Sequence, residues 1–150
     1  MAPTLAPMEI LLVEDSPTDR LMVREALGHA RLANRVHAVE DGVLALAFLH
    51  REGEFATAPR PDLILLDLNM PRKNGREVLA EVKADPALRA IPVVVFTSST
   101  AAADVAGAYD LHANCYLAKP VNFDGFAQML GVLDHFWLEI ATLPPRPSRP

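Results

Sequence analysis

Three runs of four apolar residues, each closed by acidic or hydroxylic side chains, constrain this chain more than any other feature. Ile10-Leu11-Leu12-Val13 ends in Glu14-Asp15, Leu63-Ile64-Leu65-Leu66 ends in Asp67, and Val93-Val94-Val95-Phe96 ends in Thr97-Ser98. A weaker run, Cys115-Tyr116-Leu117, leads into Lys119-Pro120. Apolar runs of this length, bounded by polar residues, suit strands buried on both faces, as in a parallel sheet. In open α/β sheets, chemistry gathers beyond the carboxyl ends of the strands, at a topological switch point. Carboxylates, a hydroxyl and an ammonium meeting there can handle a divalent metal and a phosphoryl group.

Helix signals fill the intervals. Ser16 can cap free amides, Pro17 suits the first helical position and Asp19 favours the positive end of the dipole, which predicts a helix to about Ala30. Residues 36–39 read as a modest strand, and Asp41-Gly42 opens an Ala- and Leu-rich helix ending near Gly53. After a polar loop and the second apolar run, a helix is predicted from about Arg76 to Lys83, stopped by Asp85-Pro86. An Ala-rich helix at about 101–109 is weakened by Gly107, and a last helix runs from about Phe123 to Ile140. Strand–helix alternation gives a doubly wound α/β fold with right-handed crossovers. Five units fit a flavodoxin-like five-stranded parallel sheet, order 2-1-3-4-5, with helices on both faces. Residues 1–7 form a short extension, 8–141 the domain, and 142–150 a Pro-rich, extended tail.

Size and charge narrow the function. One domain accounts for 150 residues. A formal charge of −5 argues against a general nucleic-acid-binding surface, and no stretch approaches the ~20 apolar residues of a membrane span. Residues 1–7 carry neither the basic nor the apolar region of a secretory signal. Cys115, the single cysteine, can form no intrachain disulfide and suits a reducing, cytoplasmic setting; within its strand it reads as a small buried hydrophobe. The five histidines, His29, His37, His50, His112 and His135, show no metal-ligand spacing.

Glu14-Asp15, Asp67-Leu68-Asn69-Met70-Pro71 with Gly75, Thr97-Ser98 and Lys119-Pro120 together resemble the receiver domain of two-component response regulators. The resemblance covers roughly residues 8–138. More narrowly, residues 13–19, 67–75 and 114–116, and Phe136-Trp137-Leu138 with the tail that follows, resemble the single-domain regulators partnered with bacterial phytochrome histidine kinases. The resemblance implies a phosphoacceptor signalling domain, not a turnover enzyme beyond self-phosphorylation and self-dephosphorylation. Asp67 would attack phosphorus and become an aspartyl phosphate. Mg²⁺, held by Asp15, Asp67 and the Asn69 backbone carbonyl, with Glu14 acting through water, would offset the charge repulsion. Lys119 would neutralise one phosphoryl oxygen and Thr97 would bond another. Asn69 would face the water that hydrolyses the phosphoaspartate. The Lys119–Pro120 peptide is a candidate cis bond. Tyr116 would turn inward as Thr97 moves, rearranging the face of helix 4, strand 5 and helix 5.

Blander readings stand beside each role. Asp67 and Thr97 fit as turn or helix caps, Lys119 as a solvated turn lysine, Asn69 as a turn residue and Tyr116 as a fixed edge aromatic with its hydroxyl in water. Two other classes share the chemistry: a haloacid-dehalogenase-type phosphohydrolase, which wants an acid where Asn69 stands, and a pseudo-receiver that binds without phosphorylation.

The last helix adds an inference from periodicity. Phe123, Phe126, Leu130, Leu133, Trp137 and Ile140 form one apolar stripe, widened by Met129, Val132 and Phe136 to about half the helix, whereas ~100° suffices to cover a sheet. The surplus predicts a homodimer through this helix, with the tail over the partner or folded back over its own helix. Arg20 and Arg24 fall near the rim where a kinase's phosphohistidine domain would dock, or are plain solvated charges.

Overall fold

The computed structural model describes residues 7–30 and 33–147. Strands β1 (Met8–Val13), β2 (Asn34–Val39), β3 (Leu63–Leu66), β4 (Val93–Thr97) and β5 (Cys115–Ala118) form one sheet in the order β2-β1-β3-β4-β5. Every neighbouring pair is parallel. Between and after the strands run α1 (Pro17–Gly28), α2 (Gly42–Leu49), α3 (Gly75–Ala84), α4 (Ala102–Asp110) and α5 (Phe123–Leu133). The flavodoxin-like doubly wound architecture is therefore the one the strand–helix alternation predicts.

Apart from Glu9 and Thr97, the three central strands are apolar, because both of their faces are covered. Side chains alternate across a strand, so successive residues feed two cores. Leu11, Val13, Ile64, Leu66, Val93 and Val95 meet Ala45, Phe48, Val78, Leu79 and Val82 of α2 and α3 on one side. Ile10, Leu12, Leu63, Leu65, Val94 and Phe96 meet Val23 and Leu27 of α1 and Phe126, Leu130 and Leu133 of α5 on the other. Each such side chain contributes about 1.5–3 kcal/mol by leaving water. No helix among the described residues is long and apolar enough to cross a membrane.

Local signals set the helix starts. Ser16 Oγ accepts from Asp19 N (3.2 Å) with Pro17 in the first turn, and Asp41 Oδ1 accepts from Leu44 N (2.9 Å). At α3, Asn74 and Glu77 form a reciprocal capping box, so the helix begins at Gly75, one residue before the predicted start.

Three expectations need correction. No described peptide bond is cis, so Lys119–Pro120 is trans; Lys119 N donates to Thr97 O (2.7 Å), continuing the β4–β5 ladder one residue and directing the lysine without an isomer change. The predicted long last helix is α only to Leu133, and Asp134–Ile140 is π-helical, closed by Ala141 N donating to Phe136 O (2.7 Å). Finally, Phe126 and Leu133 are not interface residues. They are 4% and 2% exposed within their own chain, and the Phe126 ring packs edge-on to Phe96 at 5.3 Å, because α5 packs on α1 as well as on the sheet, in one core with Val23, Leu27, Val94 and Phe96. Met129 and Trp137 are partly buried on the same core, which leaves Val132 (66%) and Phe136 (48%) outside.

The tail returns to its own chain at the base of the sheet. Arg146 Nη2 and Nε donate to the Asp62 carboxylate at 2.6 and 2.9 Å, and Nη2 also to Pro7 O at 3.0 Å.

Candidate functional site

The chain turns from β1 toward β2 on one side and toward β3 on the other, so a crevice opens beyond the carboxyl ends of β1 and β3. The ladder fixes what stands there. Glu14 N donates to Val39 O (2.9 Å) and Asp67 N to Val13 O (3.0 Å), which holds both acids one residue past their strands. Carboxylate oxygens of Glu14, Asp15 and Asp67 lie within 4.8 Å of one another. Glu14 and Asp67 are buried while Asp15 is exposed. Gly75 makes the close approach of α3 to this site attainable, since a Cβ there would overlap the Asp67 carbonyl oxygen.

From the other side comes Lys119. Its Nζ donates to Glu14 Oε1, to Asp19 Oδ2 at 2.8 Å and to Asp67 Oδ2 at 3.4 Å, and lies 5.7 Å from the centre of the Phe96 ring. Burial pushes the Glu14 carboxyl up, from an ordinary 4.5 to about 7; the hydrogen bond from Lys119 opposes this and the Asp67 charge adds to it. Burial works against the Lys119 ammonium, but hydrogen bonds to Asp19 and Glu14 outweigh it and hold the pKa above the ordinary lysine value. Lys119 is thus charged, and it is too few: among the described residues Glu14, Asp19 and Asp67 share its one ammonium, and Asp15 adds a further acid to the cluster. All-oxygen donors with surplus negative charge fit a hard divalent cation.

Thr97 ends β4 with its side chain fully buried, and Thr97 Oγ1 has no hydrogen-bond partner among the described residues. A buried hydroxyl left unpaired costs about 1–3 kcal/mol, so it is suited to an incoming oxygen. Asn69 is exposed, its backbone N–H donating to Asp67 Oδ1 at 3.3 Å. The Tyr116 hydroxyl is not left to water: it donates to Ser99 O at 2.9 Å, and the ring is partly buried against the α2–α3 core. Ser99 Oγ in turn donates to Asp104 and accepts from Ala101 N (3.3 Å), while Arg76 pairs with Asp104. The loop after β4 is thereby tied to α3, α4 and β5 together.

Asp19 was legible only as a dipole-favouring acid; its bond to Lys119 crosses 100 residues of sequence and left no local signal. The same holds for Arg72, whose Nε donates to Asp41 Oδ2 (2.9 Å) beside an open depression of about 420 Å³ lined by Asp15, Glu40, Asp41, Pro71 and Arg72. Arg20 and Arg24 are engaged with their own chain: Arg20 Nη1 donates to Glu14 O (2.8 Å) and Arg24 Nη1 to Val36 O (2.9 Å).

Comparison with known proteins agrees with this geometry. The family model for the response regulator receiver domain matches residues 10–131. The response regulator Rcp1 of Synechocystis sp. is 49% identical over 138 residues, covering 92% of this chain and 94% of Rcp1. The crystal structure of the Mn(2+)-bound form of Rcp1 superposes with a TM-score of 0.90, at 49% identity over 93% of this chain and all of that one. The structure of the phosphorylated cyanobacterial phytochrome response regulator RcpA matches with the same TM-score, identity and coverage. An acid-rich crevice at the switch point, faced by a lysine and a buried threonine, thus sits in a fold and a sequence of one lineage: the chain belongs to the response regulator receiver domain family.

Proposed function

We propose that this regulator takes a phosphoryl group from a histidine kinase onto Asp67 and signals through the face formed by α4, β5 and α5. The observation that carries the reading is the meeting of the Asp67 carboxylate with two further acids and the Lys119 ammonium. In the transfer, an Asp67 oxygen forms a bond to phosphorus as the bond from phosphorus to the kinase imidazole nitrogen breaks. The nitrogen keeps the electron pair. Glu14, Asp15, Asp67 and the Asn69 carbonyl would hold Mg²⁺. Bound there, the ion supplies the positive charge that lets a carboxylate approach an anionic donor. Lys119 neutralises one phosphoryl oxygen, and the Thr97 hydroxyl, which lacks a partner at rest, bonds another.

The same Thr97 movement drives the output. Tyr116 is bonded to the loop that Thr97 opens, through Ser99 O, so a shift of that loop releases or redirects the ring. Val132 and Phe136, exposed beside Met129 and Trp137, are the surface for a second copy of the chain. Light scattering with and without residues 137–150 tests that surface; a monomer throughout contradicts it. A phytochrome-type kinase, in a cytoplasmic setting, is the partner that likeness to RcpA and Rcp1 supports.

Incubation with acetyl phosphate and Mg²⁺, followed by intact mass, tests the whole. One phosphoryl adduct, lost in Asp67→Asn, is expected. Turnover of phosphate esters would indicate a hydrolase, and no adduct a binding module.

A further inference from the structure

The first turn of α1 leaves one acid in an unusual position. At the third residue of a helix, an acidic side chain can fold back onto the N-cap amide, as Glu77 does to Asn74 N at α3 (3.4 Å). In α1 that amide is already taken, because Ser16 N donates to Glu14 Oε2 at 3.1 Å. The Asp19 carboxylate is therefore released to another donor: Lys119 Nζ, which also donates to Glu14 Oε1, reaches Asp19 at 2.8 Å, closer than the 3.4 Å from Nζ to Asp67. The contact is sheltered: the two side chains are 9% and 22% exposed. Asp19 also stands apart from the three acids that cluster closely enough to share a cation. A cation at that cluster would leave Asp19 still facing the lysine.

We propose that Asp19 is a positioning residue that parks the Lys119 ammonium toward α1 in the resting protein, so that a phosphoryl group on Asp67 must draw Lys119 away from it. The inference rests on the reading of Asp67 as acceptor. An anion at Asp67 and the Asp19 carboxylate compete for one ammonium, and each lowers the hold of the other. Asp19 thereby sets how readily the site accepts a phosphoryl-like anion.

Beryllofluoride, an anion with the shape of a phosphoryl group, is the probe. It is titrated calorimetrically into the full chain in saturating Mg²⁺. Asp19→Asn is expected to bind it on the order of three- to tenfold more tightly than the unmodified chain, the range for one partly sheltered charge-assisted bond. Asp19→Ser, which keeps a short polar residue in the first turn, shifts affinity the same way, and Asp19→Glu restores it to near the starting value. Thermal unfolding without the anion accompanies each variant, since an acid acting only on the helix dipole would move the melting temperature and not the affinity. Equal or weaker binding by Asp19→Asn and Asp19→Ser overturns the proposal, as does a shift that Asp19→Glu fails to reverse. If the unmodified chain binds no beryllofluoride, or Asp67→Asn binds it equally well, the assignment of Asp67 itself fails, and the proposal with it.

Discussion

Both ends of the sheet carry half-sheltered charge, but they balance it differently. At the amino end, Glu9 is 6% exposed and bonds His37 Nε2 (2.6 Å) and Arg35 Nη1 (3.2 Å), while Asp62 accepts from Glu9 N (2.8 Å) and from Arg146. Each acid there has its own basic partner. At the carboxyl end, Glu14, Asp19 and Asp67 share Lys119, and Asp15 adds a further charge. Protein interiors tolerate a buried charge when it is paired. An end that leaves the pairing incomplete is where an external cation has something to do. The amino end pairs its acids within the chain; the carboxyl end leaves negative charge in excess, as a site for a hard cation requires.

The sharpest way to break this comparison is Asp67→Asn. It should abolish the phosphoryl adduct seen by intact mass, and because it removes a charge that adds to the effect of burial on Glu14, it should also raise the melting temperature of the metal-free chain. A lower melting temperature would mean that Asp67 is a structural ion-pair partner like Glu9. Adding Mg²⁺ should stabilise the native chain by about 2.7 kcal/mol at a hundred times its dissociation constant, as any ligand of the folded state does. The effect should persist in Glu9→Gln and disappear in Asp15→Asn with Asp67→Asn; denaturant unfolding with and without chelator reads it.

The metal-free chain should also respond to pH at the carboxyl end. The Glu14 carboxyl titrates near 7 when folded against an ordinary 4.5, so between these values the folded chain holds a proton that the unfolded chain has lost. Stability in chelator should fall as pH rises from about 4.5 to about 7 and stay reduced above that. Glu14→Gln should remove this component of the slope. At the amino end, Glu9→Ala should cost about 1–3 kcal/mol by leaving polar partners unmatched, with no change in the phosphoryl adduct. The smallest effect belongs to Arg146→Ala, under about 1 kcal/mol for a solvent-facing ion pair, again without effect on phosphorylation.

How much of this was readable in advance follows from burial. β1, β3 and β4 announce themselves because both of their faces are covered and every position but Glu9 and Thr97 is apolar. β2 and β5 are edge strands with mostly half-buried residues, so their sequences are mixed and their limits were harder to place. The site acids at 14, 15 and 67 were legible because each follows a run that admits no charge. Asp19 was not, since helix-start chemistry already accounted for it and its partner lies at the far end of the chain. By periodicity the last helix carries a wider apolar arc than one sheet needs. Phe126 and Leu133 lie inside, against Phe96 and its neighbours, which narrows the arc left outside to Val132 and Phe136.

The most direct test of the central claim is chemical location of the phosphoryl group. An acyl phosphate is reduced by borohydride to an alcohol, so a chain treated with acetyl phosphate and Mg²⁺, then reduced and digested, should carry homoserine at position 67 alone, and none when Mg²⁺ is chelated. Reduction at another acid, or no reduced residue despite saturating Mg²⁺, would contradict the account.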